Sequence, residues 1–141
     1  MKKTNNKGFS LVELIVVVAI MAVLMIVVAP QFLRYVEKTR SQKDDSAVHE
    51  LLHSIEIAVA DEDIYNSLGT TTTVAAADNT TVVVTGASDN SLLNELKLVF
   101  PPDAKIDFSS AEYSSRTYTV TITKTASSGA TVSGSWSPVT P

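Results

Sequence analysis

The stretch from Phe9 to Ala29 reads FSLVELIVVVAIMAVLMIVVA, 21 residues with one charge, Glu13, and neither Gly nor Pro. As an α-helix rising 1.5 Å per residue it measures about 30 Å, the thickness of a bilayer's hydrocarbon layer. A secretory signal removed whole carries an apolar core of about 7–15 residues and a small-residue cleavage site after it. This run is longer and ends in Ala29-Pro30-Gln31-Phe32. The sequence therefore predicts a membrane-crossing helix that stays in the mature protein.

Charge is distributed around that helix in blocks. Met1–Gly8 carries Lys2, Lys3 and Lys7, so by the positive-inside tendency the N-terminus stays cytoplasmic and the rest is exported. Arg34, Lys38, Arg40 and Lys43 against Glu37 form a basic collar after the span. Residues 46–141 hold four basic and eleven acidic side chains, which disfavours a nucleic-acid surface. With 141 residues there is room for one modest domain beside the span. The absence of cysteine excludes disulfides, cysteine nucleophiles and Cys-type zinc sites. Five glycines argue against a glycine-rich phosphate cradle.

The string Lys7-Gly8-Phe9-Ser10-Leu11-Val12-Glu13-Leu14, running into the apolar stretch, resembles the N-terminal signature of type IV prepilins and pseudopilins. The likeness extends to about Arg40 and includes Pro30. It implies cleavage between Gly8 and Phe9 by a prepilin peptidase, N-methylation of Phe9, and assembly into a helical filament. The residues suit that role. A carboxylate near the membrane core costs roughly 2.5–3.5 kcal/mol, which makes Glu13 a functional candidate. After cleavage, the Phe9 amine of one copy and the Glu13 carboxylate of another can remove two isolated charges by pairing. The plainer alternative is that Glu13 snorkels to the headgroups, being four residues from the cleaved end. Gly8 would offer a peptidase close backbone approach, and Pro30 is expected to kink or loosen the helix.

Beyond the span, Val48, Leu51, Leu52, Ile55 and Val59 recur at helical spacing, a stripe fit to pack on a globular body. Asp61, Glu62 and Asp63 suit solvent and Gly69 is a plausible stop, so one helix is expected from Phe9 to about Tyr65. His49-Glu50-Leu51-Leu52-His53 matches the His-Glu-x-x-His string of zinc peptidases. There is no third histidine, and the pair lies well away from the apolar stripe. A solvated or inter-subunit helix flank is the preferred reading.

The remainder is rich in Thr, Ser and Val. Strands are expected at Thr70–Val74, Thr80–Thr85, Lys105–Phe108, Arg116–Lys124 and Ala130–Trp136. A helix is expected from Ser91 to Val99, capped from Ser88–Asn90. Turns fall at Asp78-Asn79 and Ser127-Ser128-Gly129, and Ser137–Pro141 reads as a tail. On the segment Arg116–Lys124, Tyr118, Val120 and Ile122 should face in, with Thr117, Thr119, Thr121 and Thr123 out. Tyr113, Tyr118 and Trp136 read as strand packing in preference to a ligand platform. Residues 125–141 contain no Asp or Glu, so a calcium site is not supported there.

These readings give an α+β fold: a long N-terminal helix, membrane-spanning in its first half, packed on a small antiparallel β-sheet head, the pilin lollipop. The divisions are 1–8 leader, 9–29 transmembrane and filament-core helix, 30–65 amphipathic continuation and 66–141 β-rich head. Lacking the C-terminal disulfide of many Gram-negative pilins, the chain resembles the cysteine-free pilins of Gram-positive bacteria. The resemblance implies a non-enzymatic pilus subunit, held as a single-pass cell-membrane protein and then exported into an extracellular filament. It implies further copies of itself, the prepilin peptidase/methyltransferase, an inner-membrane assembly platform, an assembly ATPase and membrane lipid as partners. Neither cofactor nor metal is expected. The alternatives are a pseudopilin or minor pilin of a type II secretion or DNA-uptake system, and a membrane-tethered zinc peptidase using His49, Glu50 and His53.

Overall fold

The computed structural model describes residues 8–100, 103–125 and 129–137. Two compact units divide the chain, one up to Val36 and one from Glu37. From Leu11 on, the first unit is helix. Helix α1 has the bounds Leu11–Val59, so the first unit holds its apolar part and the second its amphipathic part.

In the second unit the stripe expected from the sequence is the buried one. Val48, Leu51, Ile55, Ala58 and Val59 of α1 enter the core, and Leu51 and Ile55 are fully buried. The helix ends at Val59, short of Tyr65. Asp61 stops it: its carboxylate accepts from the N–H groups of Asp63 (2.9 Å) and Ile64 (3.3 Å) and so starts a new helix, α2, Glu62–Ser67. An Asp that satisfies orphan N–H groups of a new first turn competes with continuation of the old one.

The antiparallel sheet has the order β3-β1-β5-β6, with β1 Leu68–Ala77, β3 Val83–Ala87, β5 Thr117–Thr125 and β6 Gly129–Trp136. Tyr118, Val120 and Ile122 are buried between half-exposed threonines, as the period of two requires. Val74 and Ala76 of β1 lie on the same inner face. The segment expected as one strand at Thr80–Thr85 is divided. β2 (Thr80–Thr81) pairs with β4 (Lys105–Ile106), whereas β3 pairs with β1. Val82 sits between them, 1% exposed, with its N–H on the Ala104 carbonyl at 3.0 Å. Burying that side chain turns the chain from one sheet to the other. Helix α3, Ser91–Val99, contributes Leu92 and Leu96 to the core. Its first turn is capped by Asp89, whose carboxylate takes the Ser91 N–H at 2.9 Å. Each fully buried Leu, Ile or Val of this cluster stabilises the fold by about 1.5–3 kcal/mol. The turn expected at Ser127-Ser128 and the tail from Pro138 lie outside the described residues.

Among the described residues one charged side chain is buried outright. Asp44 of α1 has no solvent exposure. Its carboxylate accepts from the Ser109 N–H at 2.9 and 3.1 Å, the Ser110 N–H at 2.8 Å and the Ser109 hydroxyl at 3.1 Å. Burial pushes its pKa up, but the Ser110 hydroxyl, the two N–H groups and the Ser109 hydroxyl together hold it below the usual 3.8. Glu37 extends the same attachment by accepting the Ala111 N–H at 2.6 Å. From Val48 onward apolar packing takes over, so this part of α1 is held by carboxylates at one end and by its buried stripe along the rest.

Where β1 and β3 meet, the register shifts between Leu68 and Thr73. Gly86 has φ +95°, and a Cβ there would press on the Thr71 carbonyl. The Thr72 hydroxyl, fully buried, donates to the Gly86 carbonyl at 3.3 Å. Gly86→Val is therefore expected to destabilise the fold by about 2 kcal/mol or more, read as a lower denaturation midpoint in detergent solution.

Candidate processing and assembly segment

Gly8, Phe9 and Ser10 precede the first helical residue, Leu11. The Ser10 carbonyl accepts the Leu14 N–H at 3.2 Å, which starts the helical ladder. Gly8 is exposed, and a Cβ built on it meets nothing within 4 Å. Packing among the described residues therefore does not ask for glycine here. The residues before Gly8 lie outside the described set, so Lys2, Lys3 and Lys7 of the basic leader are not placed.

Phe9 is 82% exposed. Glu13 lies in the first turn of α1, where a carboxylate faces the positive end of the helix dipole. Among the described residues Glu13 makes no ion pair. The side chains that follow and flank it, Leu11, Val12, Leu14, Ile15 and Val16, are exposed and apolar. The exposure continues through Val28, and among the described residues one helix is long and apolar enough to cross a membrane, with none of its most apolar stretch buried. A surface of this kind is stable only against lipid or other apolar chains. Pro30 lies inside the helix, where it has no N–H for the carbonyl of Ile26.

The other candidates separate from this segment. His49, Glu50 and His53 are exposed on α1, while Leu51 between them is fully buried. His53 Nδ1 stands 3.8 Å from a Glu56 carboxylate oxygen on the same helix. Among the described residues no three His, Cys, Asp or Glu side chains come together as a metal site. The aromatic trio packs on itself. Tyr113 stacks on Trp136 with ring centres 4.4 Å apart and planes 4° from parallel. Tyr118 and Phe108 both meet Trp136 edge-on at 5.1 Å. Phe108 is an addition to the cluster that its sequence context does not announce. Its place follows from the 107–109 loop being tied down, since its N–H donates to Asp78 at 2.8 Å.

The N-terminal region matches a known pattern. Residues 3–29 fit the family model described as the prokaryotic N-terminal methylation motif. The chain is also 33% identical over 67 residues to "Prepilin peptidase-dependent protein A" of Clostridium perfringens (strain 13 / Type A), covering 48% of each chain. It thus spans about half the length of that curated relative. No solved structure matches. The N-terminal segment is therefore of prepilin type, and the chain has the α+β layout of a long apolar N-terminal helix with a small antiparallel sheet.

Proposed function

We propose that this chain, which carries a prepilin-type methylation motif, is a structural subunit of a type IV pilus with no catalysis of its own. The observation that carries this reading is the exposed apolar helix with Glu13 set four residues after Phe9, directly behind an unencumbered Gly8. A prepilin peptidase cuts after Gly8, and Phe9 becomes the methylated N-terminus. The helix stores the subunit in the membrane with its head outside. An assembly platform and its ATPase then move it into a filament, where the apolar helices bundle as the core and Pro30 lets the helix bend to fit its neighbours. Glu13 of an incoming copy meets the Phe9 amine of one already placed, which offsets the burial of both charges and fixes the axial step. Among the partners, processing by a peptidase has the most support, since the relative from Clostridium perfringens is named for that dependence.

Shearing the surface of cells that make the protein tests the reading. Abundant filaments composed mainly of this chain are the expected result. Its retention in membranes with only short, scarce filaments would favour a pseudopilin or minor subunit. Zinc bound to purified chain would reopen the peptidase alternative.

A further inference from the structure

In the four-stranded sheet, β3 and β6 are the outer strands. The β3 edge is broken by its register shift against β1 and by Gly86 at φ +95°. Irregularities of that kind keep an edge from pairing with a further strand. β6 carries no such device. It runs as GATVSGSW in unbroken register with β5, without a charge or a proline. One bond sets its backbone phase: the Ser137 N–H donates to the Thr117 carbonyl at 2.8 Å. Opposed residues of an antiparallel pair alternate between facing each other and turning away. The N–H and C=O groups of Trp136, Gly134, Val132 and Ala130 therefore turn from β5 to the open side. Among the described residues they meet no partner there.

Beside this edge lies an open groove of about 580 Å³. Its apolar wall is Val59 at the end of α1, Tyr65 of α2, and Ala130 and Val132 of β6 itself. Glu56 and Glu62, both exposed, make it acidic. The Lys124 ammonium lies 4.5 Å from the Tyr65 ring centre, so one lysine stands against two carboxylates. Glu56 also meets His53 Nδ1 at 3.8 Å, a partner that carries charge only when protonated. The groove is thus net negative when His53 is neutral.

We propose that β6 takes an extended peptide segment of another protein as a fifth strand, and that this segment carries Lys or Arg between small apolar side chains. The outward backbone groups of Ala130, Val132, Gly134 and Trp136 supply the main-chain hydrogen bonds, which do not discriminate between sequences. Selection comes from the side chains. Every second one on the added strand turns to the face of the sheet that carries Ala130 and Val132. There the apolar wall accepts a small aliphatic group, and Glu56 and Glu62 accept a cation. The stem of a Lys or Arg can lie along Val59 and Tyr65 while its head reaches a carboxylate. An acidic segment would meet like charge. All of these residues belong to the unit from Glu37 onward, so the site stands apart from the membrane span and from the filament reading.

Titration calorimetry of the full chain in detergent tests this with two short peptides, blocked at both ends. Each alternates Thr and Val, with one central Val replaced by Lys in the first and by Glu in the second. The Lys peptide is expected to bind at least about tenfold more tightly than the Glu peptide. In Glu56→Gln/Glu62→Gln that preference is expected to shrink to within about twofold. Both side chains are exposed and Gln keeps their size, so the fold is retained. Residue-resolved amide hydrogen exchange is expected to slow at Val132 and Gly134 when the Lys peptide is bound, because their N–H groups gain partners. No binding of the Lys peptide, or no change in exchange at Val132 and Gly134, would overturn the added strand. Equal binding of the two peptides, or a preference that survives in the double variant, would overturn the basic character of the partner.

Discussion

Glu13→Ala is expected to enter the membrane and lose its leader normally, yet to yield about a hundredfold fewer filaments. Insertion depends on the apolar run from Phe9 to Ala29, which the substitution makes more apolar still. The proposed cleavage after Gly8 falls outside the helix that contains Glu13. Assembly is where the loss falls. Moving the Phe9 amine among apolar helices leaves an uncompensated charge, and breaking one partner of a buried pair costs about 3–5 kcal/mol. At about 1.4 kcal/mol per factor of ten, even the lower figure gives that loss. Glu13→Asp keeps the charge on a shorter stem and should assemble better than Glu13→Ala. Quantifying filaments against processed membrane protein in each strain separates the steps. Normal filament yield from Glu13→Ala would remove the pairing from the account and leave the snorkelling role.

The second large effect concerns Asp44. Asp44→Ala removes the acceptor for two backbone N–H groups and the hydroxyls of Ser109 and Ser110 at a fully buried carboxylate. Unmet buried donors cost about 1–3 kcal/mol each, so a loss of about 3 kcal/mol in unfolding free energy is expected after partial relaxation of the 109–111 loop. Asp44→Asn should lose less, since one oxygen can still accept. The same site gives a pH dependence. Asp44 has a pKa below 3.8 in the folded chain and near 3.8 when unfolded. Its contribution is therefore complete above the unfolded value and is lost as pH falls through the lower folded value. The wild type should lose stability below about pH 4 more steeply than Asp44→Asn, which has nothing to protonate there. Denaturant titrations of both proteins in detergent, over a pH series running from neutral down through the carboxylate range, measure this. Parallel curves would show that Asp44 does not supply the acid sensitivity.

How far the sequence discloses this molecule follows from what each feature depends on. The span, the stripe from Val48 to Val59 and the alternation at Tyr118, Val120 and Ile122 are periodic, so spacing alone reveals them. Helix α3 is legible to its bounds, Ser91–Val99, because turn residues precede it and Pro101-Pro102 follow it. Where competition between local and distant partners decides, the sequence misleads. Asp61 looks like a solvated acid within a helix and instead begins a new one. Thr80–Thr85 looks like one strand, and burial of Val82 splits it between two sheets. Asp44 carries little sequence signal as a buried anchor. It stands in a basic-to-acidic transition, and its partners Ser109 and Ser110 are 65 and 66 residues away. A polar residue in phase with Val48, Leu51 and Ile55 is the available clue. At the N-terminus the converse holds. Gly8 and Glu13 are conspicuous because they break the pattern around them, and packing among the described residues gives no other reason for them.

The most direct measurement is the intact mass and N-terminal sequence of the protein recovered from sheared cell-surface filaments. The account predicts a chain that begins at Phe9 and carries one added methyl group on its amine. A chain that still begins at Met1, or one cut after Ala29, would contradict it, since neither could present the Phe9 amine to Glu13.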